Sequence, residues 1–356
     1  MTAPARMRVT GLGVIAPGVD RPDRALGPRS APQPGWFEVA AALPGRGYRR
    51  LPAGCLHLLA AARAAVIDSG PRFAEVPAHR RAAIVGTNNA GAALIEEFDR
   101  TIIDLGAAEL PPGRVPYMAT SMFAARLAPE HLLRGFDLTT NSPAVAGLDA
   151  LQSAARALAA GRASVVLAGA VEEPPSATQR SGARFAAAPV DIGAAVLVCE
   201  PEEVPAGGAA GYGCCSTYSA FVPGAGAGAD PDRARAVLAG LWSRLADDGP
   251  PRRIDAVLDD SALGAAVAAW LPACAPDSEI TAVPAAIGGG CLTPVRRVAG
   301  RLATPGGLTD RVAVVAASAH GHLSITDLTP AAAGPGHRTP PVDDRTTPAT
   351  TKGHRS

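Results

Sequence analysis

Two pairs of polar residues in the second half of the chain have side chains suited to acid–base chemistry. Asp259 and Asp260 are adjacent, and a pair of carboxylates can supply a general base. His320 and His322 are one residue apart in the stretch AHGHL, where an imidazole could transfer a proton or bind a metal. The histidines have no acidic neighbour in the sequence, so we expect a structural or solvent-exposed role for them and no metal site.

The cysteines are the candidate nucleophiles. Six are present, at positions 55, 199, 214, 215, 274 and 291. They form no CxxC pair and no Cys/His ligand spacing, which indicates reduced and mostly buried thiols. The adjacent Cys214 and Cys215 could replace a catalytic thiol, but we expect them to lie in a connecting segment without a catalytic role.

Composition excludes several classes of protein. The 356 residues carry a formal net charge of +1 and only 18% charged residues, with no Lys/Arg run, so a nucleic-acid partner is not expected. No apolar run approaches the roughly 18 residues of a membrane span, and the N-terminus has no secretory apolar region. These features predict a cytoplasmic protein. No GxGxxG fingerprint opens a helix after a strand, so no dinucleotide or other cofactor is expected.

Short apolar runs alternate with Ala-rich stretches, which is typical of an α/β protein. The predicted strands are residues 8–15, 82–86, 164–169, 193–199, 254–258 and 312–316. The predicted helices are residues 51–68, 146–160, 232–247, 264–271 and a segment that follows the glycine cluster 288–290 and ends near residue 302. The similar order in both parts predicts two halves, residues 1–205 and 206–329. Residues 330–356 lack periodicity, which predicts a disordered tail.

Six segments, in order along the chain, resemble the β-ketoacyl synthase family. The first three are similar to the family's opening strand (residues 8–17, RVTGLGVIAP), to its VVVGTGxGG strand and turn (residues 82–91, AAIVGTNNAG) and to its dimer-interface segment (residues 115–126, VPYMATSMFAAR). The other three are similar to the nucleophile turn LTVSTACSSGxxAL (residues 138–151, LTTNSPAVAGLDAL), to the sequence that follows it (residues 160–172, AGRASVVLAGAVE) and to the connection into the second half (residues 211–216, GYGCCS).

The resemblance implies a thiolase-like, layered α-β-α-β-α fold made of two duplicated halves, each with a mixed five-stranded sheet. It also implies where the catalytic residues of a ketosynthase would lie. The nucleophilic cysteine falls on Ala144 and the first histidine on Asp260, or on Asp259 if the gap shifts by one. The second histidine falls on Gly289 and its lysine on Pro284. All four catalytic positions are lost together, so this chain is not expected to catalyse condensation.

Within this family, the resemblance is to the chain-length factor, the subunit of type II polyketide synthases that lacks the cysteine. It implies a heterodimer with a catalytic ketosynthase, an acyl carrier protein as second partner, and a role in shaping the tunnel for the growing chain. Met118, Met122 and Phe123 are candidate tunnel or interface residues, or ordinary core residues. Many chain-length factors carry Gln at the nucleophile position, where this chain has Ala144.

The alternative is a ketosynthase-fold enzyme repurposed for acyl transfer or thioester hydrolysis. Ser142, Asp260 and His320 are then the best polar candidates. They would have to converge within hydrogen-bonding reach at a pocket. A third possibility, a scaffold that binds no acyl chain, predicts a tunnel filled by side chains.

Overall fold

A computed structural model of the chain describes residues 5–45, 47–48, 51–180, 190–202, 211–224, 230–245 and 249–330. The predicted tail, residues 330–356, lies outside these ranges apart from its first residue, and so does the predicted boundary between residues 205 and 206. Within the described ranges, no helix combines the length and the apolar character that crossing a bilayer would need.

The strands form one ten-stranded mixed sheet in the order β3-β2-β4-β5-β1-β6-β10-β9-β7-β8. In the first half they are β1 (Met7–Ile15), β2 (Arg81–Thr87), β3 (Asp137–Asn141), β4 (Val165–Glu172) and β5 (Gly193–Pro201). In the second half they are β6 (Gly213–Phe221), β7 (Arg253–Leu258), β8 (Glu279–Pro284), β9 (Val312–Ala317) and β10 (His322–Thr329).

The two halves of the sheet have the same topology. β5 is antiparallel to β1 and β4, and β2 is parallel to β4 and β3. The second half repeats this pattern, because β10 is antiparallel to β6 and β9, and β7 is parallel to β9 and β8. The halves join where Met7, Arg8 and Val9 pair with residues 213–215. The duplication and the five strands per half are therefore as predicted, and hydrogen bonding across this short seam makes one sheet of ten strands.

The helices pack in three layers around the two halves of the sheet. They are α1 (Val39–Ala42), α2 (Ala53–Asp68), α3 (Arg72–Glu75), α4 (Ala92–Asp104), α5 (Ser121–Ala125), α6 (Leu127–His131), α7 (Ala146–Ala159), α8 (Ala177–Arg180), α9 (Pro231–Trp242), α10 (Ala262–Cys274) and α11 (Leu292–Leu302). Short 3-10 helices include Pro22–Leu26, Ala78–Arg80, Ala107–Glu109, Val115–Met118 and Ile287–Gly289.

The central layer consists of α7 and α11. α7 packs against β2 and β4 of its own half and against β6 of the other, and α11 packs against β4, β5 and β9. Their apolar faces, with Leu148, Leu151, Val295 and Val298 fully buried, form one core shared by both halves. α2 covers the outer face of the first half, and α9 and α10 cover that of the second. This is the predicted α-β-α-β-α layering.

The GLG stretch of β1 shows why small residues are needed in the first strand. A Cβ atom on Gly13 would lie 2.0 Å from the carbonyl oxygen of Ala61, and one on Gly11 would lie 2.2 Å from that of Ala65. α2 therefore packs directly against the backbone of β1, which a larger side chain would prevent.

Two predictions of local structure were wrong. Cys214 and Cys215 lie in the central strand β6, paired with β1 and β10, and not in a connecting segment. The helix predicted for residues 232–247 ends at Trp242, and Ser243 follows it as the C-cap.

Candidate functional site

The turn between β3 and α7 holds Ala144, the residue at the predicted nucleophile position. Its φ of +62° is left-handed, a conformation that non-glycine residues adopt uncommonly. Only 1% of Ala144 is exposed, and α7 begins two residues later at Ala146. The turn thus holds a strained backbone at a helix N-terminus, but its methyl group cannot act as a nucleophile or a proton donor.

Gly289, the predicted position of the second histidine, lies directly against this turn. The backbone N–H of Ala144 donates to the carbonyl oxygen of Gly289 over 2.6 Å. Gly289 has a φ of +68°, and a Cβ atom there would lie 2.9 Å from the Cβ of Pro143. The structure therefore brings the two positions together, and any side chain at Gly289 would require Pro143 to shift.

The residues at the predicted positions of the first histidine and of the lysine are either exposed to solvent or make structural hydrogen bonds. Asp260 is exposed. Asp259 accepts hydrogen bonds from the backbone N–H and hydroxyl of Ser261 and, over 2.7 Å, from the N–H of Ala319. Ser261 caps α10, so Asp259 supports a helix start and an adjoining loop. Pro284 ends β8, and its carbonyl oxygen accepts a hydrogen bond from Arg29.

The polar residues of the alternative enzyme do not form a hydrogen-bonded set. The hydroxyl of Ser142 donates to Asp149 over 2.6 Å, which uses its proton in a contact with a carboxylate. His320 is exposed, and His322 packs edge-on against Phe221 with the ring centroids 5.4 Å apart. Burial lowers the pKa of His322, although the Asp149 carboxylate opposes this. In the described part of the chain, no hydrogen bond links Ser142 to His320 or Asp260.

A buried carboxylate that the sequence analysis missed organises the site. Glu172 ends β4, is fully buried, and accepts the N–H groups of Asn88 and Asn89 over 2.8 Å each and that of Cys291 over 2.9 Å. Burial raises its pKa to about 7, although the N–H donors act in the opposite direction. It joins the turn after β2 to the start of α11. In the sequence Glu172 is only the acidic last residue of an otherwise apolar strand, and this pattern does not show its three N–H partners.

The buried thiols offer no replacement nucleophile. Burial and the neighbouring Glu172 carboxylate raise the pKa of Cys291, which is fully buried at the N-cap of α11. Burial likewise raises the pKa of Cys214 and Cys215. All six cysteines are free thiols. Reactivity requires an accessible thiolate, so these side chains have the properties of structural cysteines.

The three candidate tunnel or interface residues have different environments. Phe123 is fully buried in the core of the first half, where its ring packs near Gly54 and Gly91. Met122 is half-buried, and Met118 is 37% exposed. Of the three, Met118 is the most accessible from the surface.

Several exposed apolar residues, Met118 among them, occur on β3 and on the helical segments near the outer edge of the sheet. β3 is a terminal strand, and in the described part of the chain its outer edge has no strand partner. α4, the 3-10 helix Val115–Met118, α5 and β3 pack against one another in succession. We name the exposed apolar residues here the edge surface: Ile102, Ile103, Leu105, Val115, Met118, Leu132 and Leu138. An open strand edge beside exposed apolar side chains is a site for association.

The described residues contain no group of three or more His, Cys, Asp or Glu side chains placed to hold a metal ion. The backbone N–H groups of Asn88, Asn89 and Ala144 are satisfied by Glu172 and Gly289, and the side-chain amide of Asn88 donates to the carbonyl oxygen of Gly288 over 2.6 Å. The site is therefore held together by the hydrogen bonds of Glu172 and Asn88 and by packing, and Ala144 itself has no reactive group.

Comparison with known proteins finds ketosynthases both for part of the sequence and for the fold. Residues 40–191, which include the turn at Ala144, match the model of the β-ketoacyl synthase N-terminal domain. A β-ketoacyl synthase from Burkholderia phymatum has 16% identity and a TM-score of 0.71, with 91% of this chain and 99% of the other covered.

Two solved polyketide synthase structures are equally similar. The ishigamide ketosynthase/chain length factor has 20% identity and a TM-score of 0.70, over 90% of this chain and 98% of the other. A type II PKS acyl-carrier protein in complex with its ketosynthase bound to the hexaketide has 17% identity and a TM-score of 0.70, over 92% and 99%. With its duplicated, layered architecture, the chain has the thiolase-like fold of these ketosynthases, and its residues 40–191 match the N-terminal domain of the β-ketoacyl synthase family.

Proposed function

We propose that this chain is a non-catalytic ketosynthase-like subunit, equivalent to a chain-length factor. It would pair with a catalytic ketosynthase and shape the tunnel that holds the acyl or polyketide chain. The observation that carries the proposal is Ala144, which keeps the left-handed turn at the start of α7 but has no nucleophile. Gly289, at the position of the second histidine, supports the same conclusion.

The edge surface supports the second part of the proposal. Leu138 on β3 is 43% exposed, Leu132 is 58% exposed and Ile103 is 80% exposed. Burying such residues against a partner stabilises a complex by roughly 25 cal/mol per Å² of apolar area. A permanent heterodimer would cover this surface and pair the open edge of β3. Met118 would then lie at the subunit interface, where it could line a tunnel formed by both chains.

Acyl carrier protein is the second proposed partner. The growing chain would reach the active site of the catalytic subunit on its carrier, and this chain would contribute tunnel wall and no covalent chemistry. The support is the shared ketosynthase fold, together with the carrier-protein complex among the similar structures. Function inferred from fold is an analogy, so the experiment has to test the missing chemistry directly.

The test is co-expression with catalytic ketosynthases from the same genome, followed by size-exclusion chromatography with mass determination and a condensation assay with malonyl-loaded carrier protein. We expect a 1:1 heterodimer whose activity requires this chain. That activity should survive Asp260→Ala and His320→Ala in this chain, and it should be abolished by replacing the partner's nucleophilic cysteine with Ala. A homodimer that turns over acyl thioesters alone, and loses activity on either substitution, would instead establish the repurposed enzyme.

A further inference from the structure

One cavity is lined by residues outside the turn at Ala144. A cavity of about 370 Å³ lies between α11, the edge strand β8 and residues 25–29. Apolar groups of Leu26, Pro28, Ala282 and Val283 form part of its wall. The remaining wall is cationic, because Arg29, Arg296 and Arg297 also line it. The volume is within the usual range for small-molecule sites.

Arg296 is the unusual member of this wall. It is only 4% exposed, and its Nε atom is buried without a hydrogen-bond partner. Its one hydrogen bond is a long one of 3.4 Å, from Nη2 to the carbonyl oxygen of Ala25. In the ranges that the structure describes, no carboxylate lies within ion-pairing distance of it. Burial lowers the pKa of Arg296, but a guanidinium remains protonated in proteins. In the described residues no direct ion pair therefore compensates this buried charge, although the Asp191 carboxylate acts on it from a longer distance and opposes the lowering of its pKa.

The neighbouring arginines are already paired. Arg29 lies 3.6 Å from Asp191 and donates to the Thr293 hydroxyl over 2.8 Å. Arg297 donates to Asp255 over 2.9 Å, and Asp255 is shared with Arg301 on the next turn of α11. Asp191 and Asp255 thus form ion pairs with Arg29, Arg297 and Arg301, and within the described residues neither forms a direct ion pair with Arg296.

An unpaired buried charge is costly, and an anion in the cavity would remove that cost. Guanidinium groups form short, charge-assisted hydrogen bonds with the oxygens of phosphate and carboxylate. We propose that this cavity is a binding site for a small oxyanion, or for the oxyanion group of a small molecule, which contacts Arg296. The apolar wall of Leu26, Pro28 and Val283 would contact the carbon skeleton of such a molecule. This site is independent of the function proposed above.

The experiment measures anion binding to the full-length protein in a chloride buffer of constant ionic strength. Phosphate, sulfate, acetate and malonate are each titrated by isothermal calorimetry, and the melting temperature is followed in parallel. We expect saturable binding of at least one anion, with a rise in melting temperature. Preference for phosphate and sulfate would identify a tetrahedral oxyanion as the ligand class. Preference for acetate or malonate would identify a carboxylate as the ligand class.

Two variants and a control locate the site. Arg296→Met removes the charge but retains most of the volume, and it should weaken binding at least tenfold. Ala282 is exposed on β8, and Ala282→Trp should block the cavity without replacing an arginine. This variant tests the site if Arg296→Met does not fold. Arg253→Met removes an exposed arginine paired with Glu279 and should bind as the wild type does. Failure of all four anions to bind, or wild-type affinity in Ala282→Trp, would overturn the proposal.

Discussion

Ala144 keeps the backbone of a nucleophile turn although it lacks a nucleophile. Left-handed φ values cost an alanine roughly 1–2 kcal/mol, and the surrounding contacts must hold the residue there. The hydrogen bond to Gly289 and the adjoining helix supply those contacts. The turn thus holds a left-handed conformation at a residue that has no thiol to activate.

This strain gives a prediction for Ala144→Gly. Glycine relieves the unfavourable φ but loses a buried methyl group worth about 0.8 kcal/mol, so the free energy of unfolding should change by less than about 1 kcal/mol. Ala150→Gly removes an equally buried methyl from the interior of α7 and should cost about 2 kcal/mol. Urea denaturation of both variants measures the difference. Equal losses would contradict the strain at position 144.

Only some of the residues in the candidate site could be predicted from the sequence. The resemblance predicted that positions 144 and 289 belong to one site, and the structure places them in contact. Glu172 and Arg296 could not be predicted. Their importance depends on burial and on partners more than 80 residues away, which no local pattern contains.

At the scale of the elements, prediction succeeded where a segment is apolar throughout. β4 and β9 are fully buried, and their sequences VVLAGAVE and VAVVAA are almost continuous apolar runs. Four other strands were not predicted. β10 carries Ser324 and Thr326, which are buried but bonded across to the hydroxyls of β6. β3, with the sequence DLTTN, is a short edge strand, and its exposed side chains do not show strand periodicity.

The edge surface leads to a prediction about association with the partner subunit. Leu132→Asp combined with Leu138→Asp puts two charges into the proposed interface, where their desolvation would be unfavourable. We expect at least a hundredfold weaker association with the catalytic ketosynthase, measured by surface plasmon resonance.

The matched control is Ile67→Asp, an exposed apolar residue near the end of α2 and outside the edge surface. It should bind the partner as the wild type does. If all three substitutions weaken association equally, or if the double variant binds normally, the interface lies elsewhere.

For the molecule as a whole, buried histidines predict a loss of stability in acid. Burial lowers the pKa of His57 and that of His131 to about 4 each, against 6.5 normally. The unfolded chain therefore binds more protons between pH 6.5 and 4, and each histidine reduces stability as the pH falls through that window. Glu172 acts in the opposite direction, since its raised pKa makes the folded state bind more protons between about pH 4.5 and 7.

His57→Phe isolates one of these contributions. The ring of His57 packs against Trp36 and Phe37, so phenylalanine fits an aromatic environment. Between pH 8 and pH 5 the variant should lose about 2 kcal/mol less of its free energy of unfolding than the wild type loses. Urea titrations at several pH values measure this, with His79→Phe at an exposed position as control. Parallel pH profiles for His57→Phe and the wild type would show that His57 is not buried in its neutral form.

The core shared by α7 and α11 has a consequence for how the protein is made. Leu148 and Val295 pack in one cluster but are separated by almost the whole middle of the chain. At 5–20 residues per second, the ribosome needs roughly 10–30 seconds to synthesise that interval, during which the apolar face of α7 has no partner helix. We infer that the first half stays incompletely folded during this interval, in a state that chaperones can bind. Limited proteolysis of ribosome-stalled chains should show protection of α7 rising only once residue 302 has left the exit tunnel.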